Sequence, residues 1–192
     1  MGTPIQDAKV TLRRRVRAEL NRMIPAQRAA ASARACTLLQ RQTAWENAKS
    51  VLFYAPLAEE PDLWPLLAGA LAAGKIIALP RFVPEDNSYV ACEIHEPARD
   101  LEPGRFGIRE PADRCPELPL NRLDLVLVPG VAFDLHGRRL GRGKGFYDQL
   151  LAAVRGTSCG VAFDEQIVGE IPVEPHDAHL NCILTPTRWI EL

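Results

Sequence analysis

The sequence predicts an α/β fold: a single-domain, three-layer Rossmann-like sheet with helices on both faces. The run LDLVLV from Leu123 to Val128, closed by Pro129-Gly130, has the length and branched content of a strand buried on both faces. Strand-like and helix-like patterns alternate along the chain, as parallel sheets require. The 192 residues, 47% of them hydrophobic, suit one substantial core.

The first helix is expected from Pro4 to about Ile24, with Ile5, Leu12, Val16, Leu20 and Met23 at helical spacing and arginines on the other faces. Pro25 breaks it, and an alanine-rich helix follows from Ala26 to Gln42. Ser50 to Tyr54 reads as the first strand. It is followed by Glu59-Glu60 and a helix from Pro61 to Ala73. Carboxylates just before a helix are ordinarily dipole partners, and Glu59 is read that way. Lys75 to Leu79 is a second strand, ended by Pro80, and Ser88 to Ile94 a third with alternating character; His95 at its end is read as structural. The proline-rich, charged segment from Pro97 to Pro119 is expected to run over the surface. After the 123–128 strand and a glycine-rich loop, Phe146, Leu150, Leu151 and Val154 mark a helix. Strands at Cys159 to Phe163 and Cys182 to Leu184 complete the sheet.

The glycine-rich loop is where chemistry would sit. Gly137, Gly141, Gly143 and Gly145 are interleaved with Arg138, Arg139, Arg142 and Lys144. Alternate glycines allow positive φ and let a bulky anion approach peptide N–H groups, and a helix starting just beyond adds unpaired donors. A phosphate is the natural guest. Lys144 is followed by Gly145 and not by Ser or Thr, so this is no Walker A loop, and the glycine spacing misses GxGxxG. A solvated turn carrying surface arginines is the competing reading. Asp148, beside the cationic loop, is suitably placed to carry Mg²⁺.

The overall balance of 23 basic and 24 acidic side chains gives a net charge of -1, which offers no global attraction for nucleic acid or an anionic membrane. Apolar runs are too short to span a bilayer and the start of the chain lacks a secretory apolar core, so a cytoplasmic protein is expected. Five scattered cysteines without a C-x-x-C pair suggest reduced, buried thiols.

The run PGVAFDLHGRRLGRGKGFYD, residues 129 to 148, resembles the signature of the 5-formyltetrahydrofolate cyclo-ligases, also called 5,10-methenyltetrahydrofolate synthetases. The likeness extends through Lys9-x-x-Leu12-Arg13, Glu60, Phe106-Gly107-Ile108-x-Glu110-Pro111 and Pro175-His176-Asp177, in that order and spacing. It implies a fold akin to sugar-phosphate isomerases and CoA-transferases, and a ligase that uses ATP and Mg²⁺ to close a ring on 5-formyltetrahydrofolate. By the same resemblance Lys9, Arg13, Arg139 and Lys144 meet the polyphosphate, and the backbone from Gly141 through Gly143 to Gly145 cradles it. Arg142, Phe146 and Tyr147 lie where nucleotide and folate adjoin, with Arg142, Lys144 and Tyr147 the catalytic candidates. Ala55, Glu60 and Phe106, with Arg142 and Phe146, shape the folate side, Glu60 accepting from pterin N–H groups. Asp148 and Asp177 hold Mg²⁺, directly or through water. Two positions depart from the family pattern: Phe146 stands where Tyr is frequent, and Asn181 where an acidic residue is common. A monomer is expected. A folate-sequestering protein without turnover, and an isomerase or CoA-transferase relative without ATP use, are the alternatives.

Overall fold

The computed structural model describes residues 3–104, 107–174 and 177–192. Helix α1 (Pro4–Leu20) starts at Thr3, whose hydroxyl accepts the Gln6 N–H, and Pro4 supplies a preset φ in the first turn. Lys9, Leu12, Val16 and Leu20 form its buried stripe, while Ile5 stays 40% exposed. Helix α2 (Pro25–Leu39) follows, and the expected extension to Gln42 is instead a break before the short α3 (Thr43–Asn47).

Strand β1 (Ser50–Leu52) leads through an ordered loop to a 3₁₀ turn at Trp64–Leu66 and then α4 (Leu67–Ala72), so the helix begins later than the sequence suggests. Strand β2 (Ile76–Val83) runs straight through Pro80 and turns back into β3 (Ser88–Ile94). The proline is tolerated because the Phe53 N–H donates to the Ala78 carbonyl, placing the even-numbered backbone groups on the β1 side. The β1 ladder ends at Ala78, so Pro80 withholds an N–H from a position with no partner strand.

The 97–119 segment is not a bare surface connection. It folds as α5 (Pro97–Asp100), the antiparallel pair β4 (Leu101–Pro103) and β5 (Arg109–Pro111), and β6 (Glu117–Leu118), burying Glu110, Ala112 and Cys115. Phe106 lies outside the described residues. Next come β7 (Leu125–Pro129), β8 (Ala132–Asp134), β9 (Arg139–Leu140), α6 (Phe146–Ala152), β10 (Thr157–Val161), β11 (Ile167–Val168), β12 (Cys182–Leu184) and β13 (Trp189–Glu191).

Eight of these strands form one sheet in the order β13-β12-β10-β7-β1-β2-β3-β6. The central five are parallel and the edges antiparallel. Alternate side chains serve opposite layers. Val51, Ile77, Leu125 and Leu127 pack with α2, α3 and α4, whereas Leu52, Ala78, Val126 and Val128 pack with α6 and Phe133. Helix α1 covers a third cluster over the small sheet β11-β8-β9, through Val131, Leu140 and Phe163. No described helix is long and apolar enough to cross a membrane, and the five cysteines are buried free thiols.

Chain order reverses at β1, which has β2 on one side and β7 on the other. The loops leaving β1 and β7 therefore separate at their carboxyl ends and open a crevice, the place where α/β sheets bind ligands.

Candidate active site

A cleft of about 600 Å³ occupies that crevice. Every proposed site residue among the described ones lines it: Lys9 and Arg13 from α1, Ala55 and Glu60 after β1, Arg139 and Gly141 to Asp148 after β7, and Asp177 from the connection between β10 and β12. Lys9 and Arg13 reach it because they share the inward face of α1 with Leu12 and Val16. Loop residue Arg138 does not line the cleft; it turns away to Glu170 at 3.0 Å and the buried Asp134 at 3.9 Å.

The loop glycines serve two different purposes. Gly143 and Gly145 take φ of 101° and 70°, in the left-handed region that side chains resist. Gly141 is needed for space, since a Cβ there would lie 2.7 Å from an Arg139 guanidinium nitrogen. Arg13 secures the loop from outside by donating from Nε to the Gly141 carbonyl at 2.8 Å. Gly145 caps α6, a helix of seven residues that carries Asp148 in its first turn.

Most cations of the cleft are already paired with carboxylates. Lys9 Nζ donates to Asp177 Oδ2 at 2.7 Å and to Glu174 Oε2 at 3.0 Å, and Asp177 Oδ2 also accepts the Glu174 N–H at 2.8 Å. Burial opposes the charged form of Lys9, but the two carboxylates outweigh it and raise its pKa. Arg139 Nη2 donates to Asp148 Oδ1 at 2.8 Å while its guanidinium lies 5.6 Å from the Tyr147 ring centroid. Arg142 bonds Glu60 Oε1 through Nη2 at 2.9 Å and Nε at 3.3 Å, and Glu59 Oε1 at 3.0 Å. Lys144 has no carboxylate partner among the described residues.

Glu59 is thus no helix-dipole partner, because no helix starts at residue 61; it reaches across to the glycine loop instead. Arg142 outweighs the burial of Glu59 and holds its carboxyl below the usual range. Tyr147 is half-buried; desolvation of its hydroxyl first, then the charge of Glu60, push its pKa well up, so it stays protonated at neutral pH.

One side of the cleft has an aromatic wall that sequence reasoning missed. The Phe146 ring meets Tyr89 edge-on at 4.9 Å and Phe82 at 5.7 Å, and Phe82 meets Tyr89 at 5.4 Å. Tyr54 and Pro80 also line the cleft. The buried Tyr54 hydroxyl donates to the Pro61 carbonyl, and the Trp64 indole donates to the Tyr54 carbonyl at 2.9 Å. Alternation in 88–94 exposed Tyr89 to view, but nothing local connects it with Phe146. Asn181 stands apart from the cleft, its Oδ1 accepting the Ser158 N–H at 2.8 Å and hydroxyl at 2.9 Å, so that departure concerns strand β10.

Whether the carboxylates suit a divalent cation can be judged from their donors. Asp148 Oδ2 accepts no hydrogen bond from the described residues, and Asp148 and Asp177 are hard oxygen donors on one cleft. No group of three or more metal-ligating side chains occurs among the described residues. One or two carboxylates with substrate phosphates and water is the usual protein share for Mg²⁺, so the set fits a cation that arrives with a phosphate.

Comparison with known proteins bears on the chain as a whole. The family model described as the 5-formyltetrahydrofolate cyclo-ligase family matches residues 5–186. The chain is 33% identical over 177 residues to the 5-formyltetrahydrofolate cyclo-ligase of Escherichia coli K12, covering 90% of this chain and 97% of that one. It is 30% identical over 187 residues to the mouse enzyme of that name, covering 90% and 92%. The NMR structure of Aquifex aeolicus 5,10-methenyltetrahydrofolate synthetase superposes with a TM-score of 0.86 at 33% identity, over 96% of this chain and 92% of the other. A cationic glycine-rich loop at the switch point of a doubly covered sheet and these matches over nearly its whole length place the chain in the 5-formyltetrahydrofolate cyclo-ligase family of enzymes.

Proposed function

We propose that the cleft converts 5-formyltetrahydrofolate, ATP and Mg²⁺ into 5,10-methenyltetrahydrofolate, ADP and phosphate. The observation that carries this reading is the meeting, in one crevice, of a cationic glycine loop with an aromatic wall and a buried glutamate. The first suits a polyphosphate and the second a flat heterocycle with N–H donors.

The formyl group is an amide, and its oxygen leaves poorly until it is phosphorylated. Attack of that oxygen on the γ-phosphorus expels ADP. N10 then bonds to the formyl carbon and loses its proton as the carbon–oxygen bond breaks and phosphate departs. No protein nucleophile is required, and none of the described cleft residues is Ser, Thr, Cys or His. The protein's work is to align two substrates and to neutralise phosphate charge.

Lys9, Arg13, Arg139 and Lys144 surround the polyphosphate, and the peptide groups from Gly141 to Gly145 cradle it. Arg142 reaches from the loop to Glu60 and meets the transferring phosphoryl. Tyr147, held neutral by burial, offers a hydroxyl there. Glu60 and Ala55 receive the pterin against Phe146. Asp148 and Asp177 would hold Mg²⁺, which would supply neutralisation of polyphosphate charge.

Purified protein mixed with 5-formyltetrahydrofolate and Mg-ATP should form the methenyl product, followed by its absorbance; no product from bound substrates would reject the reading. Lys144→Ala should raise the KM for ATP at least tenfold, consistent with one charge-assisted bond of about 1.5 to 3 kcal/mol, and leave thermal stability unchanged. Arg139→Ala should raise it similarly, with some loss of stability from the unpaired Asp148. Unchanged ATP saturation in both variants would remove the loop from the phosphate site.

A further inference from the structure

Glu59 precedes Glu60 in the loop after β1, and the two carboxylates grip the same side chain. Arg142 Nη2 donates to Glu60 Oε1 at 2.9 Å and to Glu59 Oε1 at 3.0 Å. Glu60 Oε1 also accepts Arg142 Nε at 3.3 Å, while its Oε2 accepts the Leu57 N–H at 3.0 Å. The Glu60 side chain is 5% exposed; those of Glu59 and Arg142 are 35% exposed. Oε2 of Glu60 thus serves its own loop's backbone, while Oε1 already accepts twice from Arg142, so a ligand donor that takes Oε1 does so at the expense of Arg142. An arginine robbed of that partner is held in place best by another anion. Among the described residues, the other carboxylate bonded to Arg142 is Glu59.

We infer that Glu59 is a positioning residue: it keeps Arg142 anchored at the border of the two subsites when the N–H donors of a pterin take over Glu60 Oε1. The inference rests on the proposed reading of the cleft as a folate and nucleotide site. It makes the role of Glu59 conditional. With folate alone in the cleft, loss of Glu59 leaves Arg142 to compete with the pterin for Glu60. With a nucleotide present, phosphate oxygens supply the missing anion and the competition ends.

Fluorescence titration of 5-formyltetrahydrofolate into wild-type protein and Glu59→Gln tests this, with and without a non-hydrolysable ATP analogue and Mg²⁺. Without the analogue, Glu59→Gln should bind folate about five-fold more weakly, roughly 1 kcal/mol at 1.4 kcal/mol per decade. With saturating analogue the difference should fall below about two-fold on the same scale. Glu59→Ala, which removes the acceptor altogether, should show the same pattern with at least as large an effect. A merely structural role would weaken binding equally in both conditions, and that result overturns the inference, as does equal affinity without analogue. Wild-type protein that binds no 5-formyltetrahydrofolate overturns the underlying reading and the inference together; a binding-competent wild type beside indifferent Glu59 variants overturns the inference alone.

Discussion

Phe146 stands where the family resemblance leads one to expect Tyr, and its ring sits in an aromatic cluster. Its edge-on contacts with Tyr89 and Phe82 use the aromatic face and edge. Such pairs add about 0.5 to 1.5 kcal/mol each beyond burial. Losing one such contact with a bound pterin in Phe146→Leu should raise the KM for folate about two- to twelve-fold, at about 1.4 kcal/mol per decade, while Phe146→Tyr stays within about two-fold. Initial rates at saturating ATP would measure both, and an unchanged folate KM in Phe146→Leu would take the ring out of the folate wall. The same scale shows what one sequence can and cannot convey. Glycines alternating with cations announced the loop, but Arg138 and Arg139 look identical there; only their facing partners, Glu170 and Asp148, separate the surface residue from the cleft residue. Glu59 was likewise misread because its partner is more than eighty residues away in sequence.

At the scale of elements, the β7 strand and α6 were legible because each carries its own periodicity, aliphatic on both faces in one and apolar at helical spacing in the other. Strands β8, β9 and β11 were not, since two or three residues give no period to read and their pairing is decided by α1 packing on them. Gln166 fixes this corner beside the cleft. It is fully buried, accepts the Phe163 N–H at 2.7 Å, and donates to the carbonyls of Gly130 at 2.7 Å and Val131 at 3.2 Å. Gly130 lines the cleft, so the side chain holds a cleft wall from behind. Gln166→Ala leaves one buried donor and two carbonyls unsatisfied, which should destabilise the protein by about 2 to 4 kcal/mol. Chemical denaturation would read this as a lower midpoint at unchanged slope, and a midpoint equal to wild type would show the network to be idle.

For the whole molecule, topology placed the site before any side chain did: a buried parallel strand next to a reversal of chain order requires a crevice, and α1, β1, β7 and the β10–β12 connection all deliver charge to it. Folding thus gathers opposite charges that the unfolded chain keeps apart, and the pH dependence of stability follows from their shifts. Asp124, despite burial that opposes it, has its pKa lowered by the N–H groups of Lys49 and Ser50 and the Ser50 hydroxyl; backbone N–H groups of Glu96 and His95 lower that of Asp100; Arg142 lowers that of Glu59. A carboxyl with a depressed folded pKa stabilises above its unfolded value, near 4, and loses that contribution as pH falls through the folded one. Lys9 behaves oppositely. Its folded pKa lies above the ordinary 10.5, so its contribution is complete below that value and disappears as pH climbs through the raised one. Melting temperature should accordingly be flat from about pH 5 to 10 with respect to these groups and fall on both sides. Lys9→Met should abolish the share of the alkaline fall that Lys9 causes while leaving the acid limb in place, because Asp124, Asp100 and Glu59 do not touch Lys9. Melting curves of the two proteins from pH 3 to 11.5 would test this, and an alkaline limb identical in Lys9→Met and wild type would show that the Lys9–Asp177–Glu174 cluster does not contribute to folding.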